Sequence, residues 1–258
     1  MRIIFSEANH NYENYFFPYQ VLLTTDPEDD LTKVYQLGFL PFRNRKNLFY
    51  LSRSCRSNIK YFSLSSENKR VLKKTDQFRP EVISLSEFNY TPEVQRSCKL
   101  WARQAGWKIS TSSLKVLFKN HFFNKLYLWK DEASGKIICY QILYESKTIL
   151  HTASVFYDPS YHSTGLGTRL LLEASQNAHQ KELDFAYMGT CYGMYKRSIS
   201  GFEFFNGFEW TNSIDELKFL TQRDKKHSYT LKEKEYLGQF CQDDLEIILN
   251  KKGLRLKP

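Results

Sequence analysis

Cysteine, proline and glycine are sparse in this 258-residue chain: it has 5 Cys, 7 Pro and 11 Gly. Cys55, Cys98, Cys139, Cys191 and Cys241 are odd in number and scattered without paired spacing, which argues against a disulfide framework and for a reducing compartment. There is no internal repeat, no low-complexity tract and no Gly/Ser linker. No apolar run approaches the ~18 to 20 residues of a membrane span. The opening MRIIFSEANH lacks the apolar core of a secretory signal. Together these absences predict a cytoplasmic protein.

What is present is an ordinary globular balance, 41 % hydrophobic and 25 % charged, with enough length for one large or two small domains. Aromatic residues make up 16 % of the chain, a share that serves either to fill a sheet core or to stack bases. Lys and Arg number 37 against 28 Asp and Glu, a net charge of +9. Such an excess fits either a merely basic soluble protein or one that binds a polyanion such as tRNA by releasing phosphate counterions.

The chain is organised around residues 154–210. Residues 148–157 are rich in β-branched and aromatic types and predict a strand that ends at Asp158-Pro159. In the loop that follows, Gly165-Leu166-Gly167-Thr168 lets backbone approach a ligand closely with amides turned outward at a helix start; a plain tight turn explains the same glycines. Leu171, Ala174 and Ala178 then recur at helical spacing, and Leu183, Phe185 and Tyr187 alternate as a second strand closed by Gly189.

Upstream, an aromatic cluster surrounds Pro18, and Asp26-Pro27 predicts a helix start with Leu31, Val34 and Tyr35 inward and Gly38 at its end. Residues 47–51 and 57–62 read as short strands around a turn holding Cys55 and Arg56. Ser65 or Ser66 then caps a basic helix with Lys69, Arg70, Lys73 and Lys74. The polar stretch 74–89 around Pro80 predicts a domain junction. Thr91 starts a helix with Val94, Cys98, Trp101 and Ala105 on one face, stopped by Gly106; a second helix covers 111–122, and residues 123–129 and 137–144 form a hairpin. Residues 231–249 predict an amphipathic helix ahead of a basic tail.

The order strand, glycine loop, helix, strand, Tyr195-Lys196, Gly201-Phe202 resembles the acyl-transfer core of the N-acetyltransferase superfamily, although His162 opens the loop where that superfamily has Arg or Gln. A closer resemblance is to the aminoacyl-tRNA-protein transferases, the arginyl and bacterial leucyl enzymes of the N-degron pathway. Tyr157-Asp158-Pro159, Gly165-Leu166-Gly167, Tyr187-Met188-Gly189 and Met194-Tyr195-Lys196 take the places of that family's motifs in order, and Gly38-Phe39, Cys55-Arg56, Phe62 and residues 65–72 match its N-terminal part. The family's turn holds several cysteines; Cys55 alone stands here, and one thiolate cannot close a four-ligand site, so no metal is expected.

The resemblance implies an α/β fold with an N-acetyltransferase-like mixed sheet flanked by helices: residues 1–80 form a smaller α+β acceptor-recognition domain, 90–222 the catalytic domain and 223–258 a helical extension. It implies transfer of an amino acid of the Arg or Leu type from aminoacyl-tRNA to the α-amino group of an acidic protein N-terminus, by a monomer without a cofactor. On this reading Gly165, Leu166, Gly167, Thr168, Lys196 and Arg197 hold the donor, and Tyr187, Tyr195 and Asp158 serve the chemistry. Arg43, Cys55, Arg56 and Arg70 meet the acceptor. Plainer roles stand beside these: a core tyrosine for Tyr187, a turn cap for Asp158, a solvated basic face for the arginines, an exposed loop residue for His162 and a structural thiol for Cys191. The rival functions are an acyl-coenzyme A N-acyltransferase and a catalytically silent RNA-binding or interaction relative.

Overall fold

The computed structural model describes residues 1–6, 20–43, 45–119 and 122–223; the expected C-terminal helix, its basic tail and the aromatic cluster around Pro18 lie outside the described residues. In chain order the elements are β1 (Arg2–Ser6), β2 (Gln20–Thr24), α1 (Leu31–Gln36), β3 (Phe39–Pro41), β4 (Leu48–Leu51), β5 (Ser54–Asn58), α2 (Ser66–Lys74), β6 (Phe78–Ser84), α3 (Pro92–Gln104) and α4 (Thr111–Lys119). They continue with β7 (Lys125–Asp131), β8 (Lys136–Glu145), β9 (Ile149–Tyr157), α5 (Leu166–Gln180), β10 (Phe185–Thr190), β11 (Phe202–Phe205), β12 (Trp210–Thr211) and α6 (Ile214–Arg223). Short 3-10 turns cover Ile59–Tyr61, Pro159–Thr164 and Met194–Ser198.

The expected mixed sheet flanked by helices is present. Its eight strands run β12-β11-β5-β10-β9-β8-β7-β6, beside a four-stranded sheet ordered β1-β2-β4-β3. Strands β6 to β9 form an antiparallel meander, and β9 connects through α5 to a parallel β10. Side chains alternate across the sheet as the pleat requires. Leu126, Leu128, Ile142 and Phe156 pack under α3 and α4, whereas Tyr127, Trp129 and Leu143 face the core shared with α5.

Four expectations are corrected. The junction at 74–89 is no break, because β6 pairs along its length with β7 and β5 sits between β11 and β10 in the middle of the large sheet. Pro80 is tolerated because β6 is an edge strand, where a missing N–H leaves no partner stranded. Cys55 and Arg56 lie within a strand, not a turn. Asp26-Pro27 forms a turn in which Asp29 accepts from the Asp26 amide, and α1 begins later with Asp30 accepting from Thr32 N–H. On α3 the fourth inward residue is Ala102, one position past the turn from Trp101, and Ala105 is exposed.

β5 enters the sheet only because the chain opposite it can come very close. Gly201 has φ +69°, and a Cβ there would overlap the Asn58 carbonyl; its own carbonyl accepts from Asn58 N–H at 2.7 Å. Gly106, with φ +82°, faces open space. Gly201→Ala should therefore lose about 3 kcal/mol in urea denaturation, and Gly106→Ala only about 1, since the second pays backbone strain without a collision.

Candidate active site

Parallel strands β9 and β10 are paired only where Phe185, Ala186 and Tyr187 meet Ile149, Leu150 and His151. β9 runs on to Tyr157 and β10 to Thr190 without further pairing to each other, so a wedge opens between their C-terminal halves. Ligands of open α/β sheets bind at such carboxyl ends. Asp158 closes the chain after β9: its Oδ1 accepts from Ser160 N–H at 2.9 Å and Ser160 Oγ at 2.8 Å. Gly165 follows with φ +91° and hands the chain to α5.

The first turn of α5 presents unpaired amides, as every helix start does. Leu166 N–H donates to Thr164 Oγ1 at 3.3 Å and Arg169 N–H to the Gly165 carbonyl at 3.0 Å. Gly167 and Thr168 N–H have no acceptor among the described residues. A Cβ on Gly167 would meet nothing within 4 Å, so space lies above those amides. Leu166 itself is buried in the core. Helix α2 flanks the turn: Val71 would lie 3.9 Å from a Cβ on Gly165, and Lys74 Nζ donates to the Ser163 carbonyl at 3.1 Å.

Across the wedge, the tail of β10 is held by side chains. Its pairing with β5 slips between Tyr187 and Thr190. There Lys196 Nζ donates to the carbonyls of Met188 at 2.5 Å and Thr190 at 2.8 Å, and Cys55 Sγ donates to that of Gly189 at 3.3 Å. Lys196 is therefore buried rather than poised beside the glycine turn, and the nearby anionic and phenolic groups keep its pKa raised against the cost of burial. Nearby, Cys191 Sγ donates to the Gly193 carbonyl at 3.4 Å. The neighbouring Cys55 thiol, with Lys196 and Arg53, pulls Cys191 below the usual thiol range, while burial pushes Cys55 well up. Cys191 is fully buried, and its cationic neighbours Lys196 and Arg53 reach it from β10's return and from the β4–β5 connection.

The aromatic residues divide into two sets. Tyr187 is 1 % exposed, and its hydroxyl accepts from Arg56 Nη1 at 3.2 Å. Burial pushes that hydroxyl up to about 12. Arg56 lies between the rings of Phe185 and Trp210, 3.7 and 3.9 Å from their centroids, and pairs with Glu203 at 2.7 Å. Tyr195 and Tyr192, both 59 % exposed, instead stand at the surface beside Lys196. Desolvation raises the Tyr195 pKa, opposed by Lys196. Beneath them Tyr35 Oη and His151 Nδ1 are hydrogen-bonded at 2.9 Å.

Of the expected site residues, Gly165, Gly167, Thr168, Tyr195 and Lys196 lie around the wedge, with Arg197 exposed on the same 3-10 turn. Tyr187 and Arg56 are engaged with each other in the interior, and Cys55 is fully buried. Arg70 is exposed on α2 and pairs with Glu67 at 2.8 Å. The four acceptor residues are therefore not assembled into one cluster; Arg43 is the exposed cation whose field reaches Tyr50 and His151. Sequence reasoning missed Tyr192, although its place between Gly189 and Gly193, in a segment too short to bury it, is a usable signal.

No protein-family profile and no curated protein matches the sequence. Solved structures that resemble it at low identity include these three. The C-terminal DUF2156 domain assigned to a lysylphosphatidylglycerol synthetase of Agrobacterium fabrum is 12 % identical with TM-score 0.42, over 66 % of this chain and 53 % of that one. A GCN5-related glucosamine N-acetyltransferase region of a fungal multi-domain GH3 β-N-acetylglucosaminidase is 12 % identical with TM-score 0.41, over 74 % and 23 %. L-PGS from Bacillus licheniformis is 10 % identical with TM-score 0.40, over 81 % and 61 %. The chain thus spans from about a quarter to three fifths of those structures' lengths. No described helix is long and apolar enough to cross a membrane.

Two outcomes follow from the buried groups. Burial, helped by Lys196 and Arg43, pulls His151 down to about 3, so it stays neutral in the fold while the unfolded chain takes up a proton near pH 6.5. The stability it permits is complete above about pH 6.5 and is lost toward its folded pKa, at about 1.4 kcal/mol per pH unit. His151→Gln should flatten that slope in denaturation curves taken from pH 7 to pH 5. Lys196→Ala strands two buried carbonyls and should cost about 3 kcal/mol, measured by urea unfolding, with the loss insensitive to salt.

Proposed function

We propose that this chain is an acyl transferase that moves an aminoacyl group, of the Arg or Leu type, from tRNA to the α-amino group of a protein N-terminus. The observation that carries the reading is convergence. Tyr157-Asp158-Pro159, Gly165-Leu166-Gly167, Tyr187-Met188-Gly189 and Met194-Tyr195-Lys196 come from the two sides of α5 and fall at the C-terminal end of one strand pair. A direct contact ties two of them: Lys196 Nζ donates to the Met188 carbonyl.

In this reading the amides of Gly167 and Thr168 hold the terminal phosphate of the donor at the positive end of α5. The aminoacyl ester then lies in the wedge, where Tyr192 and Tyr195 supply ring faces and a hydroxyl. An α-amine with pKa near ~8 is partly neutral at pH 7 and the ester is already activated, so orientation and stabilisation of the oxyanion carry most of the rate. In this reading, as the amine nitrogen bonds to the carbonyl carbon, the bond from that carbon to the ribose oxygen breaks; Tyr195 Oη gives its proton to the departing oxygen and takes one from the former amine, and so ends neutral. Arg43 is the acceptor-side cation for an acidic first residue.

The test is incubation with a pool of charged tRNAs and peptides varied at the first residue, read by mass shift. Gly167→Val should leave thermal unfolding unchanged, because the added side chain enters open space, yet lower transfer at least 10-fold by blocking the amides. Full activity would reduce the loop to a turn. Tyr195→Phe should lower kcat about 100-fold with little change in KM. The same amides would also suit an acyl-coenzyme A pyrophosphate; a rise in unfolding temperature with coenzyme A and none with charged tRNA would favour that donor.

A further inference from the structure

Away from the wedge, one surface carries charge of a single sign. Residues 94–130 contain eight Lys and Arg and no Asp or Glu. Helix α3 turns Val94, Cys98, Trp101 and Ala102 into the core, which leaves Lys99, Leu100 and Arg103 outward. The chain reverses at Gly106, and Trp107 and Lys108 come round to face them. The result is a hollow of about 850 Å³ lined by Arg96, Lys99, Leu100, Arg103, Trp107 and Lys108, among others. Arg96 is partly neutralised by Glu93 at 2.6 Å, and Lys99 Nζ reaches only the neutral Thr111 hydroxyl at 3.1 Å. Lys99, Arg103 and Lys108 meet no carboxylate among the described residues. Trp107 is 45 % and Leu100 53 % exposed, which places an indole face within the ring of cations.

We infer that this hollow between α3 and the α3–α4 connection binds the sugar-phosphate backbone of RNA, with an unpaired base stacked on Trp107. Lys99 and Arg103, one turn apart on α3, and Lys108 just past the reversal are uncompensated cations suited to successive phosphates, and an aromatic face among them is the arrangement that takes a splayed base irrespective of its identity. The shape decides between RNA and an anionic membrane. A bilayer surface needs a convex or flat face with apolar side chains projecting beyond the cations. Here Trp107 and Leu100 share an open hollow with the cations that line it, a form that favours an entering strand over a bilayer. The basic helix α2 is less suited, since its Arg70 pairs with Glu67 and its Lys74 is held by the Ser163 carbonyl. The inference rests on the proposed aminoacyl-tRNA donor and adds where the body of that RNA is gripped, on the opposite face of the sheet from α5.

The experiment is fluorescence anisotropy with labelled, deacylated tRNA across a salt series, comparing the native chain with the triple variant Lys99→Ala, Arg103→Ala, Lys108→Ala and with Trp107→Ala. All four residues are exposed, so unchanged thermal unfolding should accompany each variant. The triple variant should weaken binding at least 10-fold near physiological salt and reduce the slope of log K against log salt by about 2 to 3. Trp107→Ala should weaken binding about 10-fold while leaving the slope unchanged. Transfer from an aminoacylated CCA trinucleotide, which lacks an RNA body, should be the same in native and triple-variant protein. Native affinity and slope in the triple variant, with tRNA still bound, would overturn the inference and leave the proposed function standing. The same holds if the triple variant loses sedimentation with phosphatidylglycerol vesicles but keeps tRNA. Failure of the native chain to bind tRNA at all would overturn both.

Discussion

Three successive carbonyls at the end of β10 depend on side chains for their hydrogen bonds, and the geometry of the wedge follows from that. A strand that leaves its ladder must satisfy its backbone by other means, because a buried carbonyl without a donor costs about 1 to 3 kcal/mol. Met188 and Thr190 accept from the Lys196 ammonium and Gly189 from the Cys55 thiol. A lysine suits this place because one tetrahedral group can reach two carbonyls that diverge from a common plane. The backbone also helps. Gly189 has φ +75°, a conformation open to glycine, and Cys191 N–H resumes pairing by donating to the Arg53 carbonyl at 2.7 Å. Without these donors β10 would have to follow β9, closing the gap between them.

The same arrangement brings charge inside. Lys196 and Arg53 are both nearly inaccessible, and Arg53 Nε donates to the Cys191 carbonyl at 3.1 Å. Interior cations are tolerated when dipoles and polarisable anions surround them. Here the carbonyls supply the dipoles, and the buried Cys55 and Cys191 thiols supply polarisable neighbours. His151 pays the opposite consequence of that field and remains neutral. A second device braces the other side of β10: Arg56 stacks between Phe185 and Trp210 and bonds Tyr187 and Glu203, linking β5, β10, β11 and β12 through one guanidinium.

Local pattern made the central part of the chain legible. The alternation in β9, the paired glycines and the helical spacing of Leu171, Ala174 and Ala178 are read correctly because each is decided by neighbours within a few residues. The role of β5 was not legible. Cys55 and Arg56 look like turn residues beside a basic helix, and nothing nearby in sequence reports that their partners are Tyr187 and Glu203, more than a hundred residues away. The domain boundary failed for the same reason: Pro80 and its polar surroundings signal a break locally, while pairing of β6 with β7 overrides it. Lys196 was legible as important and misplaced in role, since a charge in a short aromatic segment reads as exposed until its acceptors are known. Asp158 shows the converse, as its proline neighbour already suggested the turn that its carboxylate closes.

Around the wedge the groups are arranged to hold and polarise rather than to abstract protons strongly. Asp158 is engaged by Ser160, Glu203 by Arg56 and Asn58, and the His151 ring by Tyr35. What faces the wedge is backbone amide, phenol and the field of a buried ammonium. A chemistry demanding a strong general base would be poorly served by this set. Aminolysis of an activated ester demands less: the nucleophile is partly neutral already, and the developing oxyanion and departing ribose oxygen need donors that are fixed in advance. On the proposed reading, a wedge held open by a lysine, bordered by free amides on one side and tyrosines on the other, supplies such donors, and a phenol that gives one proton as it takes another returns to its starting charge.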